Sequence, residues 1–249
     1  MTIKVAVITG GSRGIGRSLV EGFVNAGYKV VVGARNESGI SEISEAHVRF
    51  EAIDVSDEDG HCHLVDTALA WGGKLDVYIN NAGFSEWRPL EAIDELFFDT
   101  MIGVNLKGTF WGCKAAAAAM REGGSLINIS SLAGKRGSAN NAMYVASKFG
   151  VNGLTQSLAK ELGPKSIRVN AICPVLVRTP GLVEALETEW SPAKGQPDEF
   201  LKTFTAGNSA LGWLPRGDDV AAMAVFLASD GAAAITGQCI NVDCGVFPQ

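Results

Sequence analysis

The chain is poor in the residues that mark several protein classes. Its 5 cysteines, at positions 62, 113, 173, 239 and 244, are odd in number and form no C-x-x-C pair, which excludes a disulfide scaffold and predicts reduced, mostly buried thiols. Only 8 prolines and 19% charged residues occur among 249, against 47% hydrophobic ones, so collagen-like and disordered classes are excluded. Basic residues are also scarce: 21 Lys and Arg face 27 Asp and Glu, for a net charge of −6, and no basic run exceeds two residues. That leaves nothing to release counterions from a phosphate backbone, so nucleic acid is not an expected partner. No apolar run approaches the roughly 18 residues of a membrane span, so no membrane partner is expected either. Met1 to Thr9 lacks the charged head and cleavage site of a secretory signal, and a cytoplasmic location is expected.

His61 and His63 flank Cys62, just after Asp57, Glu58 and Asp59. Consecutive helical residues point in different directions, so this cluster reads as a solvated helix start and no metal is expected.

What the chain does have is alternation. Short Val- and Ile-rich runs at Lys4–Thr9, Lys29–Gly33, Val48–Ile53, Leu75–Asn80, Ser125–Ser130, Arg168–Cys173 and Gln238–Val242 predict strands covered on both faces. Between them, helices are predicted at Gly14–Ala26, Asp57–Trp71, one long stretch Asp94–Met120, Ala142–Leu162 and Asp218–Ser229. Right-handed crossovers then give an α/β, doubly wound, seven-stranded parallel sheet with helices on both faces. No linker divides the chain, so one domain is expected over 1–249. Thr179 to Trp213, with three prolines and little strand character, is expected to be a mobile substrate lid.

The first strand runs into Thr9-Gly10-Gly11-Ser12-Arg13-Gly14-Ile15-Gly16 and then a helix. Glycines there let the backbone turn sharply and approach a pyrophosphate at the helix amino terminus, so Gly10, Ser12, Arg13, Gly14, Ile15 and Gly16 are candidate cofactor ligands. The second strand should end beside the adenosine ribose. Ala34 and Arg35 stand where NAD-binding proteins carry a carboxylate, and Arg35, with Arg13 nearby, can pair with a 2′-phosphate. NADP(H) is therefore predicted over NAD(H), the alternative being a merely solvated Arg35. Asp54 and Val55, ending the third strand, are candidates for holding adenine.

Tyr144 and Lys148 lie four apart on a predicted helix and share a face. With 3 tyrosines and 11 lysines such a pair arises by chance in about one chain in eight, so context decides. Ser131 follows the fifth strand, and Asn80-Asn81-Ala82-Gly83 ends the fourth at the same edge. Asn105, inside the long helix, needs a compensating polar contact.

Together these motifs, T-G-x-x-x-G-x-G, N-N-A-G, Ser131 and Y-x-x-x-K, resemble the short-chain dehydrogenase/reductase family over essentially the whole chain, including Ile235-Thr236-Gly237-Gln238 and Asn241-Val242-Asp243. The resemblance implies a Rossmann fold and an oxidoreductase interconverting a ketone and a secondary alcohol. It makes Tyr144 the acid or base, and Ser131 the donor to the substrate oxygen. Lys148 becomes the ligand of the nicotinamide ribose, and Asn105 the holder of a water linking Lys148 to solvent. The Lys148 charge and an oxidised nicotinamide are expected to favour the Tyr144 phenolate. Asn81, Ala82, Gly83, Pro174, Val177 and Thr179 complete the cofactor site.

Two positions depart from the family pattern. Val175 replaces the glycine that usually follows Pro174, and Cys244 stands where a glycine often follows N-V-D. Val175 is expected to restrict its turn. Pocket walls are expected from Phe84, Trp87, Arg88, residues 138–143, Trp190, Phe200, Phe204 and Trp213, with packing at the surface or within the lid core as the equal alternative for the aromatics. The lid acids Glu184, Glu187, Glu189, Asp198 and Glu199 disfavour an acidic carrier protein. A small ketone or keto-sugar is thus preferred to a 3-oxoacyl thioester, while a non-catalytic NADP(H)-binding sensor would not need Ser131, Tyr144 and Lys148. A sugar-nucleotide epimerase would need a longer second domain. A homotetramer or homodimer is expected from the resemblance and the apolar face of the Ala142–Leu162 helix.

Overall fold

In the computed structural model, which describes residues 3–248 apart from 38, 41 and 44, the apolar runs form one parallel sheet. Its strands are β1 (Val5–Thr9), β2 (Lys29–Ala34), β3 (Val48–Ala52), β4 (Val77–Asn80), β5 (Gly124–Ile129), β6 (Ile167–Pro174) and β7 (Cys239–Val242). They lie in the order β3-β2-β1-β4-β5-β6-β7. The strand order reverses between β1 and β4, which opens a crevice at the carboxyl ends of the strands. Helices fill the connections: α1 (Gly14–Asn25), α2 (Glu58–Gly72), α3 (Glu95–Ile102), α4 (Gly108–Ala119), α5 (Ala142–Leu162), α6 (Pro180–Leu186), α7 (Pro197–Asn208) and α8 (Gly217–Ala228).

Alternate strand residues point to opposite faces, so each face needs its own apolar cover. Ile8, Val30, Val32, Ile79 and Ile127 pack beneath Leu19 and Phe23 of α1 and Val220 and Leu227 of α8. Val7, Val31, Tyr78, Leu126 and Val169 pack beneath Leu64 of α2, Ala116 of α4 and Leu162 of α5. This is the doubly wound Rossmann architecture. A buried polar chain ties the second layer together: Asn80 Nδ2 donates to Asn128 Oδ1, and Asn128 Nδ2 to Thr155 Oγ1, both at 2.9 Å.

Several local expectations are corrected. The long helix predicted at 94–120 is α3 and α4 joined by a π-helical turn, Gly103–Lys107. His61 is not solvated at a helix start: it is 1% exposed, with Nδ1 2.7 Å from the Tyr78 hydroxyl and Nε2 2.9 Å from the Val55 carbonyl. The helix places it inward because it begins at Glu58 and turns His61 toward the sheet. Only Cys113 and Cys173 are buried among the five thiols. The segment 179–213 carries α6 and α7, whose Ala185, Leu186 and Leu201 make a small apolar cluster with Trp87 and Ala193. Among the described residues no helix is long and apolar enough to cross a membrane.

Candidate active site

The glycine turn is built from the strand below it. Gly10 has φ +65°, and a Cβ there would stand 2.8 Å from the Ala82 Cα. Asn81 braces the turn, its Nδ2 donating to the carbonyls of Thr9 at 2.9 Å and Gly10 at 3.1 Å. The Thr9 hydroxyl accepts from the amides of Asn81 and Ala82 at 3.0 and 3.1 Å. A Cβ on Gly16 would collide with the Gly10 carbonyl, so α1 can begin this close to β1 only with glycine there. Gly14, at φ +56°, faces Thr179, whose Cγ2 would touch a Cβ at 3.1 Å. Thr9 and Asn81 thus bring T-G and N-N-A-G, some seventy residues apart, into one cradle over the N-terminus of α1, which fits a dinucleotide pyrophosphate.

Arg35 is exposed just past β2. Hydrogen bonds from the Ser56 amide and hydroxyl, each 2.8 Å, hold the Asp54 carboxyl below its ordinary range, and the Arg35 charge adds to this. Val55 presents its carbonyl to His61, a partner that the sequence reading missed. Arg13 Nη1 pairs with Glu184 on α6, at 3.0 and 3.3 Å to the two carboxylate oxygens. That second missed contact joins the phosphate turn to the 179–213 segment.

The candidate reacting groups converge at the ends of β5 and α5. Ser131, directly after the strand, accepts from the Ala133 amide at 3.1 Å, and its hydroxyl is near enough to Tyr144 to favour the charged form of that phenol. Lys148, 5% exposed, donates from Nζ to the Ile129 carbonyl at 2.9 Å and lies 5.7 Å from the Tyr144 ring centroid. Burial lowers the Lys148 pKa to about 8. Burial also raises that of Tyr144, and the Ser131 hydroxyl offsets part of the rise. Burial thus shifts both groups toward their neutral forms in the protein without cofactor.

Asn105 is wholly buried in the π-helical turn. Its Oδ1 accepts from the Phe84 amide at 3.0 Å and its Nδ2 donates to the Phe84 carbonyl at 2.9 Å. This is the compensating contact that a mid-helix asparagine demands, and it locks the loop after Gly83. A Cβ on Gly83 would come within 3.0 Å of Asn105 Oδ1 and 3.7 Å of Lys148 Nζ, so the missing side chain leaves room beside the ammonium.

At the end of β6, Pro174 is buried and the Val175 amide donates to the Val242 carbonyl at 3.3 Å. Val175 is not among the residues with positive φ, so this turn does not demand the absent glycine, while Cys244 does adopt φ +53°. Val177 is buried, and the Thr179 hydroxyl caps α6 by accepting from the Leu182 amide at 3.2 Å. Trp87 and Phe200 lie in the apolar cluster of α6 and α7, so they support that segment from within and are not open pocket walls. Trp190 lines a cavity of about 340 Å³ with Ala139, Asn140, Glu189 and Lys194. Among the described residues no group of three His, Cys, Asp or Glu could hold a metal ion.

A parallel sheet with a glycine cradle at its switch point and a Ser, Tyr and Lys cluster at its carboxyl edge defines a dinucleotide-dependent oxidoreductase site. Residues 10–247 match the family described as enoyl-(acyl carrier protein) reductase. The chain is 36% identical to a Staphylococcus aureus diacetyl reductase of the (S)-acetoin-forming kind, covering 98% of this chain and 97% of that one. It is equally similar, at 36% and the same coverage, to the 3-oxoacyl-(acyl-carrier-protein) reductase FabG of Chlamydia trachomatis. An L-2,3-butanediol dehydrogenase of Corynebacterium glutamicum is 34% identical, with 98% of both chains covered. Among solved structures, a single-substitution variant of actinorhodin polyketide ketoreductase with NADPH superposes with a TM-score of 0.90 at 32% identity, covering 98% of this chain and 97% of that one. The ligand-free aldohexose dehydrogenase of Thermoplasma acidophilum gives 0.87 at 31%, covering 99% and 97%. The chain belongs to the short-chain dehydrogenase/reductase family, and it is an oxidoreductase of that family.

Proposed function

We propose that the protein is an NADP(H)-dependent carbonyl reductase or alcohol dehydrogenase acting on a small ketone, hydroxyketone or keto-sugar. The observation that carries this reading is the convergence of Ser131, Tyr144 and Lys148 at the carboxyl edge of the sheet, beside the glycine cradle. A bound nicotinamide supplies or accepts the hydride. The Tyr144 hydroxyl gives its proton to the carbonyl oxygen in reduction and takes it back in oxidation. Ser131 holds that oxygen, stabilising the charge that develops on it. Lys148, fixed by Ile129, reaches the ribose hydroxyls through the space left by Gly83. Asn105, whose side chain is spent on Phe84, serves a water path to Lys148 through its backbone carbonyl.

For the cofactor, Gly10, Ser12, Arg13, Gly14, Ile15 and Gly16 hold the pyrophosphate and Asp54 and Val55 the adenine. Asn81, Ala82, Gly83, Pro174, Val177 and Thr179 line the nicotinamide half. Arg35 selects the 2′-phosphate, because no carboxylate ends β2 to repel it. Residues 179–213 act as the lid of a single domain. Exposed Phe110 on α4 and Phe149 on α5 are apolar surface for assembly into a homodimer or homotetramer.

The relatives divide between small hydroxyketone chemistry and thioester reduction. A carrier-protein substrate needs a basic entrance, but Lys135 Nζ is 2.6 Å from the Cys239 carbonyl and Arg136 stacks on Phe247 at 5.4 Å. Those two cations are turned to the fold, which favours the small substrate. Steady-state oxidation of NADPH with diacetyl, acetoin, keto-sugars and 3-oxoacyl thioesters, and the reverse assay on diols, tests the reading. Turnover confined to the thioesters overturns it.

A further inference from the structure

The glycine turn and the 179–213 segment meet through a pair of charges that the hydride transfer does not use. Arg13 Nη1 donates to both carboxylate oxygens of Glu184, at 3.0 and 3.3 Å. The start of α6 lies along the same turn: a Cβ on Gly14 would stand 3.1 Å from the Thr179 Cγ2, and one on Gly181 would come within 3.7 Å of Arg13 Nη2. Gly181 and Glu184 are three apart and share one face of α6. That helix begins at the Thr179 cap, so the Glu184 carboxylate is delivered to Arg13 by the backbone of α6 as well as by its own side chain.

The turn that carries Arg13 is packed against the loop that carries Arg35. The Gly10 amide donates to the Gly33 carbonyl at the end of β2 at 2.7 Å, and a Cβ on Gly39 would collide with the Ser12 carbonyl. Three arginines therefore border the place where a second phosphate on the adenosine ribose would lie. Arg17 is taken by Glu21 at 2.8 Å and Glu42 at 3.7 Å. Arg35 is exposed at the end of β2. Arg13 is the remaining cation, and Glu184 already holds it. A 2′-phosphate carries a charge of about −1.5 to −2 near neutral pH, so it must draw Arg13 away from Glu184 or lie beside that carboxylate. The 2′-hydroxyl of an unphosphorylated dinucleotide meets neither cost.

We propose that Glu184 is a specificity-determining residue for the cofactor: by holding Arg13 it weakens binding of the 2′-phosphorylated dinucleotide and leaves the unphosphorylated one untouched. Preference for NADP(H) then rests on Arg35 and is held below what two free arginines would give. The placement of the dinucleotide rests on the function proposed above. The two side chains are 57% and 60% exposed, which sets the size of the effect: the pair is worth little as a prop for the fold and is screened by salt. Its consequence for a doubly charged group arriving at Arg13 is larger, because the carboxylate both occupies the donors and repels the phosphate.

The test uses the intact protein and two probes that differ only in the 2′-phosphate, adenosine 2′,5′-bisphosphate and AMP, titrated by calorimetry at low salt. Glu184→Gln is expected to tighten the bisphosphate about three- to tenfold and to leave AMP within about twofold, and the gain should shrink at about 0.5 M salt. In an Arg13→Gln background the same substitution is expected to change neither probe, which shows that Glu184 acts through Arg13. In turnover, Glu184→Gln should lower KM for NADPH by the same factor, with kcat unchanged and NADH kinetics unaltered. A merely structural pair predicts the opposite pattern, with both probes weakened alike and kcat lowered. That pattern, an unchanged bisphosphate affinity, or an equal gain for the two probes overturns the proposal, as does a gain that survives Arg13→Gln. A protein that reduces no ketone and oxidises no alcohol fails the function proposed above, while the cycle with the two probes still decides the role of Glu184.

Discussion

Lys148 donates from Nζ to the carbonyl of Ile129 at 2.9 Å, across nineteen positions of sequence. That bond aims the ammonium at the end of β5 before any ligand arrives, with Ser131 two residues further along the chain. Orientation of this kind lowers the entropy cost of assembling a reactive complex. It also requires burying a cation, and the burial shows in the Lys148 pKa of about 8.

The pH dependence of stability follows from that burial. The folded pKa lies below the unfolded value of about 10.4, so the unfolded chain binds more protons between pH 8 and 10. Stability from this group is therefore present above the unfolded pKa and is lost as pH falls through 8. Cofactor-free Lys148→Met is expected to gain on wild type at neutral pH, and the gap should narrow by about 1–3 kcal/mol as pH rises from 7.5 to 10. Urea midpoints at the two pH values measure it, and a constant gap contradicts it.

Tyr144→Phe removes the proton that the proposed reaction moves, and nothing nearby replaces it. A fall in kcat on the order of 10²- to 10⁴-fold is expected. Dinucleotide affinity, followed by quenching of protein fluorescence, should stay near wild type. Turnover close to that of wild type would remove Tyr144 from proton transfer.

Arg35→Asp puts a carboxylate where a 2′-phosphate is proposed to sit. Loss of a charge-assisted hydrogen bond is worth about 1.5–3 kcal/mol, roughly a 10- to 150-fold fall in kcat/KM for NADPH, with NADH use retained or improved. If the unmutated enzyme itself prefers NADH by tenfold or more, the assignment to Arg35 is wrong.

Cys244 occupies the left-handed region at φ +53°, where an L side chain costs about 1–2 kcal/mol and glycine costs little. Part of that is returned through the flexibility glycine gives the unfolded chain. Cys244→Gly should stabilise the protein by about 1 kcal/mol, raising Tm by about 2–4 °C. An unchanged or lower Tm shows that the thiol makes compensating contacts.

Legibility in the sequence followed the range of the forces involved. The strands β1 and β2 were readable because burial on both faces makes them unbroken Val and Ile runs. Glycines at 10, 14 and 16 were readable because the turn is local. The single helix expected at 94–120 was not, because the π-helical turn at Gly103–Lys107 is accompanied by Asn105 reaching the Phe84 backbone, a contact absent from helical periodicity. Trp87 resembled a pocket wall in the sequence, since an aromatic after N-N-A-G looks the same whether it faces substrate or the apolar cluster of α6 and α7.

The sequence by itself determined the alternation of strands and helices, the glycine turn at β1 and the candidate serine, tyrosine and lysine. The first two are written in neighbouring residues and the Tyr144–Lys148 pair one helical turn apart, while Ser131, thirteen residues before Tyr144, was picked out by the family resemblance. Tertiary structure alone decided which polar groups find each other: His61 with Val55, Arg13 with Glu184, Asn105 with Phe84, and Cys173 with Asn152. Those partners lie on different segments: burial in a medium of low dielectric drives His61 and Asn105 to find one, while the exposed Arg13–Glu184 pair forms because the packing of the sheet brings α6 beside the glycine turn.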